Sequence, residues 1–131
     1  MKQNYWIKLI YFWKPVVWLA IICYGLFIPA NELPVKPFLK IPHFDKIVHF
    51  ALFFGLCMLF FRPFKKIEVK PYFWAPAVSV LLGATLELTQ HLFSSSRSSD
   101  FYDFLANATG ILFAVIFFRL FVSGRKWEIL F

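Results

Sequence analysis

The stretch DKIVHFALFFGLCMLFFR, Asp45 to Arg62, decides the architecture of this chain. Asp45, Lys46 and His49 mark one end and Arg62 the other, and no charged side chain lies between His49 and Arg62. At a helical rise of about 1.5 Å per residue, the apolar run over 46–62 is long enough to cross the hydrocarbon of a bilayer. Three more predominantly apolar runs of spanning length occur at about 9–30, 72–93 and 103–123. The spacing predicts an all-α membrane protein, a bundle of four transmembrane helices forming one domain over 1–131.

Composition agrees. Of 131 residues 60% are hydrophobic and only 16% charged, with a mean hydropathy of +0.67. So few polar side chains would leave large apolar patches on a water-facing surface, which excludes a soluble globule, a disordered chain and a soluble nucleic-acid module. Cys23 and Cys57 lie inside separate apolar runs with no Cys or His at ligand spacing, so they read as small hydrophobes. Neither a metal nor another cofactor is expected.

The net charge of +7 reports topology rather than a nucleic-acid partner. Ten basic residues flank one side of the spans: Lys2, Lys8 and Lys14; Arg62, Lys65, Lys66 and Lys70; Arg119, Arg125 and Lys126. The other side holds Lys36, Lys40, Lys46 and Arg97. The positive-inside rule places both termini in the cytoplasm and the first and third connections outside. The expected location is the bacterial plasma membrane, multi-pass. Trp6, Trp13, Trp18, Trp74 and Trp127 fall near the basic helix ends, as an interfacial belt does. The first run also has the outline of a signal peptide, with Lys2, Lys8 and Lys14 before the apolar Val16 to Ile28. Its cleavage pattern is poor, and Pro29 to Glu32 reads better as the end of a retained helix. Asn4 to Trp13 forms either an amphipathic lead-in before Pro15 or part of a helix running straight through it.

Polar residues within the spans collect toward the outward side. Asp45 and His49 stand at i and i+4 at the start of the second span; Glu87, Gln90 and His91 stand at i, i+3 and i+4 near the end of the third. Asp103, Asn107 and Gly110 make a stripe at the start of the fourth, and Arg97 and Asp100 lie in the connection between. Helical rise puts His49, Glu87 and Asn107 at one level, roughly 6 to 9 Å below the outer ends. The opposite halves, such as Phe53 to Phe61 and Ile111 to Phe118, are almost without polar side chains.

Several of these residues have a sufficient structural reading. Asn107 with Gly110 can be a close helix seam carrying one interhelical hydrogen bond. Asp100 suits the N-cap of the last helix, with Asp103 in its first turn. Lys46 is expected to snorkel to the interface. Glu87 resists such a reading, because an ionisable group within a span costs about 2.5 to 3.5 kcal/mol on insertion scales and must face protein or water. Its partner is expected among His49, Gln90, Asn107 and Arg97.

The blocks Asp45-Lys46-Ile47-Val48-His49-Phe50, Glu87-Leu88-Thr89-Gln90 with Phe93, and Arg97, Asp100, Asp103, Asn107 and Gly110 together resemble the VanZ-like family of small bacterial membrane proteins. The resemblance covers residues 45–114. Ser94 to Ser96 depart from it where a proline turn is common, and Ala114 stands where a second glycine is frequent, which is expected to loosen the last helix's contact. The family is named for a protein that accompanies glycopeptide resistance and gives low-level tolerance to teicoplanin, a lipid-tailed antibiotic. Most members lie outside resistance clusters, so the resemblance does not make resistance this chain's everyday role.

The favoured reading is a site that binds or handles the head group of an envelope amphiphile, a membrane lipid or lipid-linked precursor. Its candidate ligand-binding residues are Asp45, Lys46, His49, Glu87, Gln90, Arg97, Asp100, Asp103 and Asn107. A second reading is an intramembrane hydrolase or transferase with Glu87 or His49 as general base and Arg97 stabilising negative charge. It lacks a recognisable nucleophile. A third is a structural or regulatory subunit whose polar residues lock the bundle or bind a membrane-protein partner. A proton or ion transporter is disfavoured because the inner halves offer no polar path.

Overall fold

The computed structural model describes residues 8–28, 42–93 and 100–131. Among these, four helices are long and apolar enough to cross a membrane. A 3-10 turn at Ile10–Phe12 leads into α1 (Trp13–Phe27); α2 is Phe44–Lys66, α3 Pro71–Phe93 and α4 Phe101–Phe117. The chain then continues through a π turn at Phe118–Val122 to a 3-10 turn at Lys126–Leu130. No strand occurs among the described residues.

Hydropathy places these elements closely, with two adjustments. The second helix does not stop at Arg62 but passes through Pro63 to Lys66. Proline removes one backbone donor, yet Pro63 and Phe64 are both buried in the bundle, and that packing holds the helix together beyond the break. Two more helices run on through a proline, α1 at Pro15, just after the 3-10 turn, and α3 at Pro76. Asn4 to Ile7 lie outside the described residues, so the lead-in helix is described from Lys8 onward.

Helix α2 is central, packing along α4 and against α3, with α1 on its remaining side. Phe53, Leu56, Cys57, Met58 and Phe61 are buried on it. Lipid tails are as apolar as these side chains, so association depends on close fit and hydrogen bonds rather than on escape from water. The fit is tightest at Gly110, where an added Cβ would collide with the Phe50 carbonyl oxygen. Lower down, the Phe61 and Phe118 rings stack with centroids 4.0 Å apart. Trp18 packs over Gly55 and its indole Nε1 donates to the Leu52 carbonyl at 2.9 Å, fastening α1 to α2. Leu81, Leu88, Leu92, Leu112 and Phe113 are exposed and form part of the apolar outer surface.

The two ends of the bundle differ in charge. Arg62, Lys65 and Lys66 close α2 at the same end as the start of α1 and the C-terminal turn, because Lys14 Nζ donates to the Leu130 carbonyl at 2.7 Å and Arg62 donates to that of Ile129. In the turn after α2, Glu68 takes a left-handed φ of 64° and pairs with Lys8 at 2.9 Å, which holds its carboxyl below the usual range. At the far end lie the start of α2, the end of α3 and the start of α4.

Candidate functional site

Three helices deliver polar groups to the end of the bundle opposite the basic one. On α2 the spacing of Asp45 and His49 places both on one face; on α3 Glu87 lies six residues before the helix end; on α4 Asn107 follows Asp103 by one turn. Gly110 lets α4 approach α2 closely enough for short side chains to meet. Glu87, His49 and Asn107 are all buried.

Asn107 is the hub. Its Nδ2 donates to Glu87 Oε1 at 3.1 Å, and its Oδ1 lies 3.0 Å from His49 Nδ1. An amide oxygen only accepts, so His49 Nδ1 carries the hydrogen and donates. The same Nδ1 is 3.4 Å from Glu87 Oε1, closing a triangle contributed by one residue from each of three helices. On the far side of the ring, Nε2 faces Asp45 Oδ1 at 3.9 Å. Glu87 Oε2 is buried and has no hydrogen-bond partner among the described residues. Glu87 thus finds two of the partners expected for it, His49 and Asn107.

A second group sits above this triangle. Asp100 caps α4, its Oδ1 accepting from the Tyr102 amide at 3.4 Å, while Asp103 Oδ2 accepts from the Asp100 amide at 3.2 Å, a reciprocal capping box. The other oxygen of Asp103 accepts from Lys46 Nζ, which is also 3.6 Å from Asp45 Oδ2. Lys46, expected to snorkel to the interface, thus pairs with both aspartates at the end of the bundle. Asp103 is only 6% exposed at its side chain, and a buried carboxylate draws the nearest cation onto itself. Asp45, His49 and Asp103 each bring one potential ligand atom within 4.8 Å of the others, a set that could hold a cation, with the Lys46 ammonium supplying positive charge at the two aspartates.

Gln90 lies apart from the cluster. Its amide donates to the Leu26 carbonyl at 3.0 Å, tying α3 to the end of α1. Arg97 and Ser94 to Ser96 lie outside the described residues. Ala114, expected to loosen the last helix, is fully buried in the core.

Two clefts reach this end of the bundle. One, of about 390 Å³, runs between α3 and α4 over Glu87, Leu88, His91, Asp100, Phe101 and Phe104. The other, of about 480 Å³, is lined by His43, Lys46, Asp100, Tyr102, Leu105 and Thr109. Both join polar groups to apolar and aromatic walls. Sequence does not single out Phe101, Phe104, Tyr102 and Leu105; their only signal is adjacency to Asp100 and Asp103 on α4.

This geometry defines a class: a multi-pass helical membrane protein with a buried polar cluster shared by three spans at one end. The particular family follows from its sequence model. The family described as VanZ/LLP1 matches residues 3–122, nearly the whole chain, and the protein belongs to it. No curated protein and no solved structure gives a significant match to this chain.

Proposed function

We propose that the cluster around Glu87, His49 and Asn107 receives the polar head of a membrane amphiphile, an envelope lipid or a lipid-linked precursor, while the tail lies along the aromatic cleft walls. The observation that carries this reading is the buried Glu87–Asn107–His49 triangle beside a cleft that runs from polar Glu87, His91 and Asp100 to apolar Leu88, Phe101 and Phe104. Polar groups inside a span are expensive, and a mixed wall of this kind suits a ligand with one polar and one apolar end. In this reading the basic end faces the cytoplasm of a bacterial cell by the positive-inside rule, and the site opens to the outer leaflet of the plasma membrane.

Asp103 and Asp45 already engage Lys46, and His49 and Asn107 engage each other and Glu87, so Glu87, which lines the cleft and whose Oε2 has no partner among the described residues, supplies the main contact to the head group. Tolerance to a lipid-tailed glycopeptide such as teicoplanin would follow if its tail and head occupied the same cleft. The test is native mass spectrometry of lipids retained by the purified wild type and by Glu87→Ala and Arg97→Ala. A lipid species present in wild type and lost from folded variants supports the site; identical lipid profiles sink it.

The contact between Glu87 and His49 also favours a second reading, in which Glu87 is the general base of an intramembrane hydrolase or transferase. Glu87→Gln separates the two. Retained lipid with no further conversion assigns proton transfer to Glu87, whereas time-resolved lipid analysis that finds no product in wild type excludes turnover.

A further inference from the structure

At the opposite end of the bundle, Arg62, Lys65 and Lys66 of α2 face Arg125 and Lys126 of the C-terminal segment across a cleft of about 370 Å³. One acid, Glu128, stands among these five cations. The cleft exists because the C-terminal turn folds back onto the bundle. Lys65 pairs with Glu128 Oε1 at 2.5 Å, the Gly124 amide donates to Glu128 Oε2 at 2.7 Å, and Arg62 and Lys14 donate to the Ile129 and Leu130 carbonyls. Gly124 makes the reversal at φ +75°, a conformation that suits glycine.

Charges of one sign brought together in this way repel, and Glu128 offsets only part of that repulsion because Lys65 and the Gly124 amide already hold its two oxygens. Arg62 and Lys66 lie over the Tyr11 ring at 5.2 and 5.5 Å. A cation–π contact orients a cation without cancelling its charge, so both keep a full positive charge facing the cleft. Arg125 and Lys126 are exposed and make no side-chain ion pair among the described residues. Beside them Trp127, Ile129 and Leu130 are exposed on the same short turn, which suits a segment lying at the boundary between head groups and hydrocarbon.

We propose that this basic cleft binds the phosphate of an anionic phospholipid head group in the leaflet at that end of the bundle. The charge complementarity is direct, and the location at the end of α2 places the cations at head-group depth, where juxtamembrane Lys and Arg attract anionic lipid. Arginine and lysine contribute differently here, because the planar Arg62 and Arg125 forks suit two phosphate oxygens, while Lys66 and Lys126 act as point charges. The site is separate from the Glu87 cluster and does not depend on what that cluster binds.

The test uses the full chain in phosphatidylcholine vesicles with and without phosphatidylglycerol, followed by extraction and native mass spectrometry of retained lipid. Wild type retains phosphatidylglycerol over phosphatidylcholine, and the triple variant Lys66→Gln, Arg125→Gln, Lys126→Gln loses that preference by at least about tenfold. Glu87→Gln keeps it, which separates this site from the other. The charge-preserving Lys126→Arg keeps it too and shows that loss in the triple variant reflects charge. Equal retention by wild type and triple variant overturns the proposal, as does displacement of the lipid by millimolar inorganic phosphate, which would make free phosphate the ligand.

Discussion

The Asn107 amide lies between the carboxylate of Glu87, to which it donates at 3.1 Å, and the ring of His49, 3.0 Å from its oxygen. One short side chain therefore satisfies two others from different helices. Replacing it with leucine keeps similar volume but removes the donor to Glu87 Oε1 and the acceptor of His49 Nδ1, leaving those two only their longer 3.4 Å contact. We expect Asn107→Leu to lower stability by about 1–3 kcal/mol, the usual penalty for a buried polar group left without its partner. Thermal unfolding in detergent measures it, and a variant as stable as wild type would show that water or the neighbouring helices already satisfy Glu87.

Gly110 sets the distance on which that network depends. A methyl group there would run into the Phe50 carbonyl oxygen, and backbone cannot give way as a side chain can. Gly110→Ala should force α2 and α4 apart and destabilise by about 1–3 kcal/mol, the range for overpacking. Gly25 is the internal control, since a Cβ there meets nothing within 4 Å and Gly25→Ala should be neutral or slightly stabilising. Equal melting temperatures for the two variants would contradict the close α2–α4 approach.

Asp103 and Lys46 form the pair that sequence reading misses. Asp103 is buried, so Lys46→Met leaves it a carboxylate without its cation and should destabilise by about 3 kcal/mol or more. Lys46→Met combined with Asp103→Asn should recover most of that loss, because the asparagine retains the Asp100 capping contact without a charge to neutralise. A double-mutant cycle reads the coupling. Additive losses would mean that the two residues act independently.

What sequence reveals here, and what it hides, has a physical basis. The spans are legible because bilayer thickness fixes helix length, and hydropathy reports burial in lipid directly. His49, Glu87 and Asn107 are legible because ionisable and amide groups are conspicuous in an apolar run, and helical rise alone gives their depth. The pairing of Lys46 with Asp103 is not, since only the packing of α2 on α4 brings the two side chains together. Spacing groups Gln90 with Glu87, yet its acceptor is the backbone carbonyl of Leu26, and carbonyls carry no residue signature. The fold-back of the C-terminal turn is hidden for the same reason: Lys14 and Arg62 bind the carbonyls of Leu130 and Ile129.

That fold-back should respond to pH through Glu128. Burial alone would raise its carboxyl, but the bond from Lys65, the Gly124 amide and the nearby Arg62 outweigh burial and hold it below the usual carboxylate range. A carboxyl depressed in the folded state contributes stability that is fully present above its unfolded value and is lost as pH falls through the folded value. The tail should therefore stay docked at neutral pH and loosen only in acid, below the ordinary range for glutamate. Hydrogen exchange at residues 124–131 measured across an acid series reads this release. Glu128→Gln should show faster exchange at neutral pH and lose the acid step, because the amide cannot provide the charge that holds Lys65. A tail that loosens at the same pH in wild type and Glu128→Gln would show that another group controls it. The four transmembrane helices should stay protected throughout, since Glu128 lies beyond their ends and its partners Lys65 and Gly124 sit at the margin of the bundle.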